Sequence, residues 1–365
     1  MAAIDFPSSP TTGQTFTSGG VTWIWDGVKW TTGAAAGPSM PVAMGDNRIS
    51  NGDMRIDQRN NGAVVVPTAS SVLLDRWKIT MSQPSKISVQ RANASAGLTA
   101  LGWTYLLALV STGAYAPAAG ESFALYQPIE ADMIGDFAWG TPNAQPVTLS
   151  FMALCTVGGT CSGSIRNSDS SRSYPFTFAL TAGAYTKIVV TIPGDTSGTW
   201  VLSGNGVGLT VGFDLGSGAT MRGPANAWAS ANYAGVTGAF NVVAANAVQL
   251  LITGVKLEIG SVATPFNRKS PQESMADCQR YFKRLVGVQI GMTTTPSAGN
   301  YTTSSINFSP MRAAPTAVQS NNAYGNCTGL NVSPVSPVAV ATFLAGCTAS
   351  ASCWATATLD LSAEL

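Results

Sequence analysis

The chain has 365 residues, of which only 10% are charged, with 19 Lys and Arg against 18 Asp and Glu and a net charge of +1. No basic run exceeds Asn267-Arg268-Lys269, so the electrostatic footprint of a nucleic-acid binder is absent, and apolar runs such as residues 105–110 are too short to span a bilayer. There is no histidine, which excludes Ser-His-Asp and Cys-His nucleophile systems and His-ligated metals.

Disorder accompanies low hydrophobicity and high net charge, and here 45% of residues are hydrophobic. With 38 Gly and 20 Pro, the composition predicts many short strands joined by tight turns, an all-β protein. Its length predicts two or three domains. The opening MAAIDFPSSP has neither a charged n-region nor an apolar core, so no secretory signal is expected.

Residues 1–32 read as an N-terminal hairpin module. In TTGQTFTSGGVTWIWDGVKWTT, Asp26-Gly27 is a two-residue turn signal. That register pairs Trp25 with Val28 and Trp23 with Trp30, all four on one face. So small a piece cannot bury three tryptophans, so Trp23, Trp25 and Trp30 are expected to pack on a neighbouring domain or between subunits. Residues 33–43 form a Gly/Ala/Pro linker.

Residues 44–268 carry strand candidates at 54–58, 76–81, 87–91, 103–110, 123–129, 147–153, 176–180, 186–192, 200–202, 208–213, 239–243 and 250–259. Strands this short and numerous predict a two-sheet β-sandwich. No period of 20–50 residues points to a propeller or solenoid. In the last strand Leu250 and Ile252 alternate with polar neighbours, after which the apolar positions are Val255, Leu257 and Ile259. The change of parity at Thr253-Gly254 predicts a β-bulge. Lys256 and Glu258 on the other face predict a sheet with one wet side.

A short helix follows within residues 269–286. Ser270-Pro271-Gln272-Glu273 reads as a capping box with proline at the first helical position. Met275, Cys278, Phe282 and Leu285 form its apolar stripe, widened by Tyr281. Arg280, Lys283 and Arg284 suit its C-terminal dipole, and Gly287 ends it. Residues 287–365 alternate in stretches such as 305–308, 338–343 and 354–361, predicting a small C-terminal β-sandwich tip. Its charges are few, chiefly Arg312, Asp360 and Glu364, a composition suited to burial in a symmetric homo-oligomer.

Candidate chemistry is sparse. No phosphate-binding glycine motif is present. Cys155/Cys161 and Cys347/Cys353 each place two thiols across a turn. Without His or CxxC pairs they suggest no zinc, and buried free thiols or late-formed disulfides are the two readings. Glu121, Glu130, Asp132 and Asp136 are close enough in sequence to supply a glycosidase pair, yet their alternation beside a strand fits a structural role. Asn51, Asp53 and Asp57 lack EF-hand spacing, so neither metal nor cofactor is expected. Sugar recognition would use exposed aromatic faces and amides. Trp228 and Tyr233 in a Gly/Ala/Asn loop, and Tyr301, Tyr324 and Trp354 in the tip, are the candidates, although aromatics more often serve packing.

The segments ITGVKLEIG, ATPFNR and ESMADCQRYFKR, with NRISNGDMRIDQRNNG at 47–62, LDRW at 74–77 and SPMRAAPT at 309–316, together resemble the junction of bacteriophage tail-fibre proteins. There a jelly-roll domain like a carbohydrate-binding module meets a small β-rich tip. TWIWDGVKW is similar to N-terminal modules of phage tail proteins. The resemblance implies a jelly roll over 44–268 and a homotrimer held by a receptor-facing tip over 287–365. It also implies docking to other tail or head proteins of the virion through Trp23, Trp25 and Trp30. The function it implies is attachment to a host-surface glycan, extracellularly, without enzymatic activity or membrane insertion. A purely structural adaptor or head decoration, and a polysaccharide depolymerase, are the alternatives.

Overall fold

The computed structural model describes residues 5–18, 21–25, 27–32, 46–291, 299–347 and 352–365, with only the backbone at 31–32, 291, 299–304 and 334–335. The expected linker at 33–43 and turn residue Asp26 lie outside the described residues. The chain divides into two compact units, Met1–Gly45 and Asp46–Leu365.

The first unit is an antiparallel sheet of β1 (Thr15–Ser18), β2 (Val21–Trp25) and β3 (Trp30–Thr32). Its register corrects the two-residue turn: Trp25 pairs with Trp30 and Trp23 with Thr32, while Val28 lies in the connection, 83% exposed. Direct aromatic cross-strand pairing favours this register over the tighter turn. Phe6 stacks on Trp30 at 5.3 Å and meets Trp23 edge-on at 5.4 Å, and Phe16 pairs with Trp23. The tryptophans are thus half-buried on one another and on two phenylalanines.

The second unit opens with β4 (Ser71–Leu74), β5 (Trp77–Met81), β6 (Ile87–Asn93), α1 (Ala96–Ala100), β7 (Tyr105–Ser111), β8 (Ser122–Glu130), β9 (Val147–Cys155), β10 (Gly159–Asn167), β11 (Ser173–Leu180) and β12 (Thr186–Ile192). Then come β13 (Val207–Ser217), the short β14 (Arg222–Gly223) and β15 (Gly235–Val236), and β16 (Gln249–Ile259). Two antiparallel sheets face each other, ordered β11-β10-β13-β8-β5-β4 and β12-β9-β16-β7-β6. This is the predicted sandwich, with strands crossing repeatedly between sheets. Between them Phe151 meets Phe178 at 5.1 Å and Phe213 at 5.0 Å, edge to face, above a fully buried Trp77.

Three expected strands are loops. Residues 54–58 are held irregular by Asn51, whose side-chain oxygen accepts from the Ile56 N–H at 2.9 Å and whose amide donates to the Ile56 carbonyl at 2.9 Å. Such local bonds replace a ladder. Residues 200–202 form no strand, and 239–243 contains only a 3-10 turn, Val242–Ala244, capped by the Asn241 side chain. Conversely β10, GTCSGSIRN, is a strand that its small polar residues do not signal. They fit because β10 lies between β11 and β13, and a Cβ at Gly163 would collide with the Gly212 carbonyl.

The bulge in β16 is as predicted: the register slips between Thr253 and Lys256, and Gly254 has φ +63°. Leu250, Ile252, Val255 and Leu257 all reach the core. The wet face is not: Lys256 and Glu258 are 0% and 1% exposed. Residues 260–266 turn back across this face of the sheet and cover them.

α2 (Pro271–Gln279) has the full capping box from Ser270 and Glu273. It ends earlier than predicted, because Phe282 and Leu285 belong to β17 (Phe282–Gly291) and Gly287, φ +65°, sits in a bulge of that strand. The basic residues serve other elements: Arg280 binds Glu130 with bonds of 2.8 and 2.7 Å, and Arg284 binds Asp360. The remaining strands are β18 (Gly299–Asn307), β19 (Thr316–Gly325), β20 (Gly329–Ser336), β21 (Ala339–Cys347) and β22 (Trp354–Ser362). They form two three-stranded sheets, β17-β22-β19 and β18-β21-β20, around Val340, Leu344, Leu359 and Leu361. Five of the six cysteines are buried, and Cys327 is half-buried.

Candidate ligand-binding groove

The bulge that shifts the parity of β16 also shapes a groove on the outer face of the five-stranded sheet. With no side chain at Gly254, the Trp103 indole packs where a Cβ would overlap it. Trp103 is aimed there by α1, whose Leu98 is fully buried, and by Gly102 at φ +86°. Opposite Trp103 stands Phe266, edge-on at 5.0 Å.

Phe266 is placed by the buried charges. Glu258 accepts from the Thr264 N–H at 2.8 Å and from its hydroxyl at 2.5 Å. Lys256 lies 3.1 Å from Glu258 and donates to the Thr264 hydroxyl and, at 3.0 Å, to the Pro265 carbonyl. A buried ion pair persists only when its remaining donors and acceptors are satisfied, and here the satisfaction comes from the strap itself. The Arg268 guanidinium lies 4.5 Å from the Trp103 ring centroid, a cation–π contact.

The cavity so formed has a volume of about 340 Å³ and is lined by Trp103, Phe266, Met152, exposed Leu101 and Lys187, and Thr264. Aromatic and aliphatic walls with a hydroxyl and an ammonium suit a ligand with apolar faces and hydroxyl edges. Phe266 also borders a more polar cleft of about 320 Å³, where Lys269 and Asp277 pair at 2.8 Å.

The aromatics singled out in the sequence lie elsewhere. Trp228 joins Trp139 at 5.2 Å, Tyr174 at 5.1 Å and Trp200 at 5.5 Å, and its indole N–H donates to the Pro193 carbonyl. The Tyr233 ring lies against Gly223, where a Cβ would collide with it. In the tip, Tyr324 and Trp354 are each 39% exposed. Trp354 registers with Gly325 and Tyr324 with Ala355, so the two lie on opposite faces of one sheet. The Tyr301 side chain lies outside the described residues.

Each candidate carboxylate holds the fold. Glu121 accepts from the Tyr115 hydroxyl at 2.6 Å and from Gln83, which keeps its carboxyl below the usual range. Burial pulls Glu130 upward, but the bidentate Arg280 pair outweighs it and lowers its pKa. Asp132 accepts from the Gly204 N–H, and Asp136 pairs with Arg48. Asp57 accepts from the N–H groups of Asn60 and Gly62, and Asp53 pairs with Arg55. Trp103, Phe266 and Arg268 carry little functional signal in the sequence. The only signal was the position of ATPFNR immediately after a charged stretch of strand.

No family model matches the chain, and no curated protein matches it. Among solved structures, a putative sugar binding protein from Bacteroides thetaiotaomicron is 12% identical, covering 59% of this chain and 100% of that one, with a TM-score of 0.34. The enzymatically active domain of bacteriophage CBA120 tailspike protein 4 is 12% identical with a TM-score of 0.33, and the match covers 59% of this chain and 21% of the tailspike chain. The CBM22-1 xylan-binding domain from Paenibacillus barcinonensis is 9% identical, covering 60% and 98%, with a TM-score of 0.26. Likenesses of this size assign neither family nor activity to the chain.

Proposed function

We propose that this protein is a glycan-binding attachment component of a bacteriophage tail fibre, and that the Trp103–Phe266 groove receives the sugar. The observation that carries the reading is the groove: two aromatic walls, Phe266 placed by a buried ion pair and Trp103 by α1 and Gly102, with Lys187 in the lining and Arg268 against the Trp103 ring. The sequence resemblance supplies the setting, in which the first unit docks on the virion through Trp23, Trp25 and Trp30 and the tip assembles a trimer. Weak sites on a trimeric fibre would gain avidity through effective concentration. With each candidate carboxylate already engaged, binding without hydrolysis is the reading adopted.

The test is binding of the purified full chain to an array of bacterial surface polysaccharides and neutral oligosaccharides. Leu101→Asp and Lys187→Glu change exposed groove residues and should weaken neutral-glycan binding at least about tenfold, the equivalent of one good hydrogen bond or apolar contact. A blank array from folded protein would instead favour a structural adaptor. Release of reducing ends, lost in Glu130→Gln or Asp132→Asn, would favour a depolymerase. A monomer in light scattering would remove the trimeric fibre.

A further inference from the structure

The strand β10 carries a cation without a counter-ion. Ile165 faces the core, fully buried, so Ser164 and Arg166 face the opposite side of the six-stranded sheet. Across that sheet Arg166 registers with Thr210, and Ser164 with Gly212, which registers in turn with Tyr126. One strip of the outer face thus presents Arg166, Ser164, Thr210 and a half-exposed Tyr126, with no side chain at its centre.

Several other guanidinium groups of this unit have an acid, while Arg91 and Arg312, which have none within 4.0 Å among the described residues, donate to backbone carbonyls instead. Arg172 pairs with Asp195 at 2.6 Å, Arg222 with Asp214 at 2.8 Å and Arg76 with Glu364 at 2.8 Å. Arg166 has no carboxylate within 4.0 Å among the described residues; its one bond is from Nη1 to the Asn232 side-chain oxygen at 3.0 Å. Its enclosed Nε–H has no partner, and neither does the buried Ser164 hydroxyl. Burial lowers the Arg166 pKa from its ordinary value, as expected of a cation deprived of water without compensation. An enclosed guanidinium lacking an anion is costly, and its planar fork matches a carboxylate through two parallel bonds.

We propose that this face binds the carboxylate of an acidic sugar, with Arg166 as the anion clamp, Tyr126 as the ring-stacking face and Thr210 and Asn232 as hydroxyl partners. The site deepens the glycan-binding reading and rests on it. It lies on the other sheet from the Trp103 groove, so the two can fail separately.

The experiment follows the arginine Nε–H resonances of the isotope-labelled full chain during titration with an oligogalacturonate, its carboxyl-reduced counterpart, and acetate. The Arg166 signal is identified by its loss in Arg166→Lys, which keeps the charge and removes the fork. The expected result is a saturable Arg166 shift with the oligogalacturonate. Affinity should fall at least about tenfold for the reduced sugar and for Arg166→Lys, and stay unchanged in Leu101→Asp. No saturable shift, equal binding of the reduced sugar, or undiminished binding by Arg166→Lys would each overturn the proposal. Acetate binding as tightly as the oligomer would overturn the sugar and leave a bare carboxylate site. Loss of neutral-glycan binding alone, with the uronate response intact, would count against the groove only.

Discussion

Lys256 and Glu258 lie in a strand that alternates polar and apolar residues, the usual mark of a half-wet sheet, yet both are enclosed. Their burial is viable because Thr264 and Pro265 complete their hydrogen bonding. Removing one charge strands the other, so Lys256→Met or Glu258→Leu alone should destabilise by about 3–5 kcal/mol, and the double variant by clearly less. Urea unfolding of the three variants checks this, and additive losses would contradict it. Asp75 is another enclosed acid: burial pushes its pKa up to about 6 despite bonds from Gln58 and nearby Arg59. The folded chain therefore holds this proton more tightly than the unfolded chain. The Asp75 contribution to stability is greatest below about pH 4 and is lost as pH rises through about 6, by about 2–3 kcal/mol. Glu121 and Glu130, whose pKa values are lowered, act with the opposite sign. The difference between wild type and Asp75→Asn across pH 4 to 7.5 isolates the term, and a flat difference would refute it.

At the scale of elements, β16 shows how one glycine serves two purposes. Gly254 adopts φ +63°, allowing the bulge, and its missing side chain admits Trp103. Gly254→Ala should cost more than the roughly 1–3 kcal/mol of a left-handed non-glycine residue alone, because the indole must also move. A lower unfolding midpoint in urea would report it, and a loss no larger than that range would contradict the indole's part in it. The bulge was legible as a parity break, and the capping box of α2 as four consecutive residues, because both are local codes. The helix end was misread because Phe282 and Leu285 fit helical spacing as well as they fit a bulged strand. Their strand state depends on pairing with β22, where Phe282 meets Ser362 and Leu285 meets Leu359, far along the chain.

At the scale of the molecule, the small C-terminal sandwich meets the larger one through polar contacts around α2 and the last residues. Arg76, 1% exposed, binds Glu364 and lies 3.4 Å from the Tyr281 ring, while Gln58 donates to the Phe282 carbonyl at 2.9 Å and Arg284 to Gln58 and Arg59 carbonyls. An interface of this kind transmits cooperativity through few groups. Arg76→Met should therefore split the unfolding of residues 46–365 into two calorimetric transitions, and a single unchanged transition would show that apolar contacts suffice.

By itself the sequence determined the all-β class, the two-sheet sandwich, the bulge at Gly254 and the start of α2. These follow from composition, side-chain parity and capping, each set within a few residues. It also placed the tryptophans of the first unit on one face, though not their register, in which Trp25 pairs with Trp30. Only the tertiary structure decided that the outer face of β16 is covered, that Trp228 is engaged in a four-ring cluster, and that Trp103 meets Phe266. It alone left Arg166 without an acid. The reason is distance along the chain: alternation says which residues share a face, but whether that face meets water, a strap or another sheet depends on segments up to hundreds of residues away.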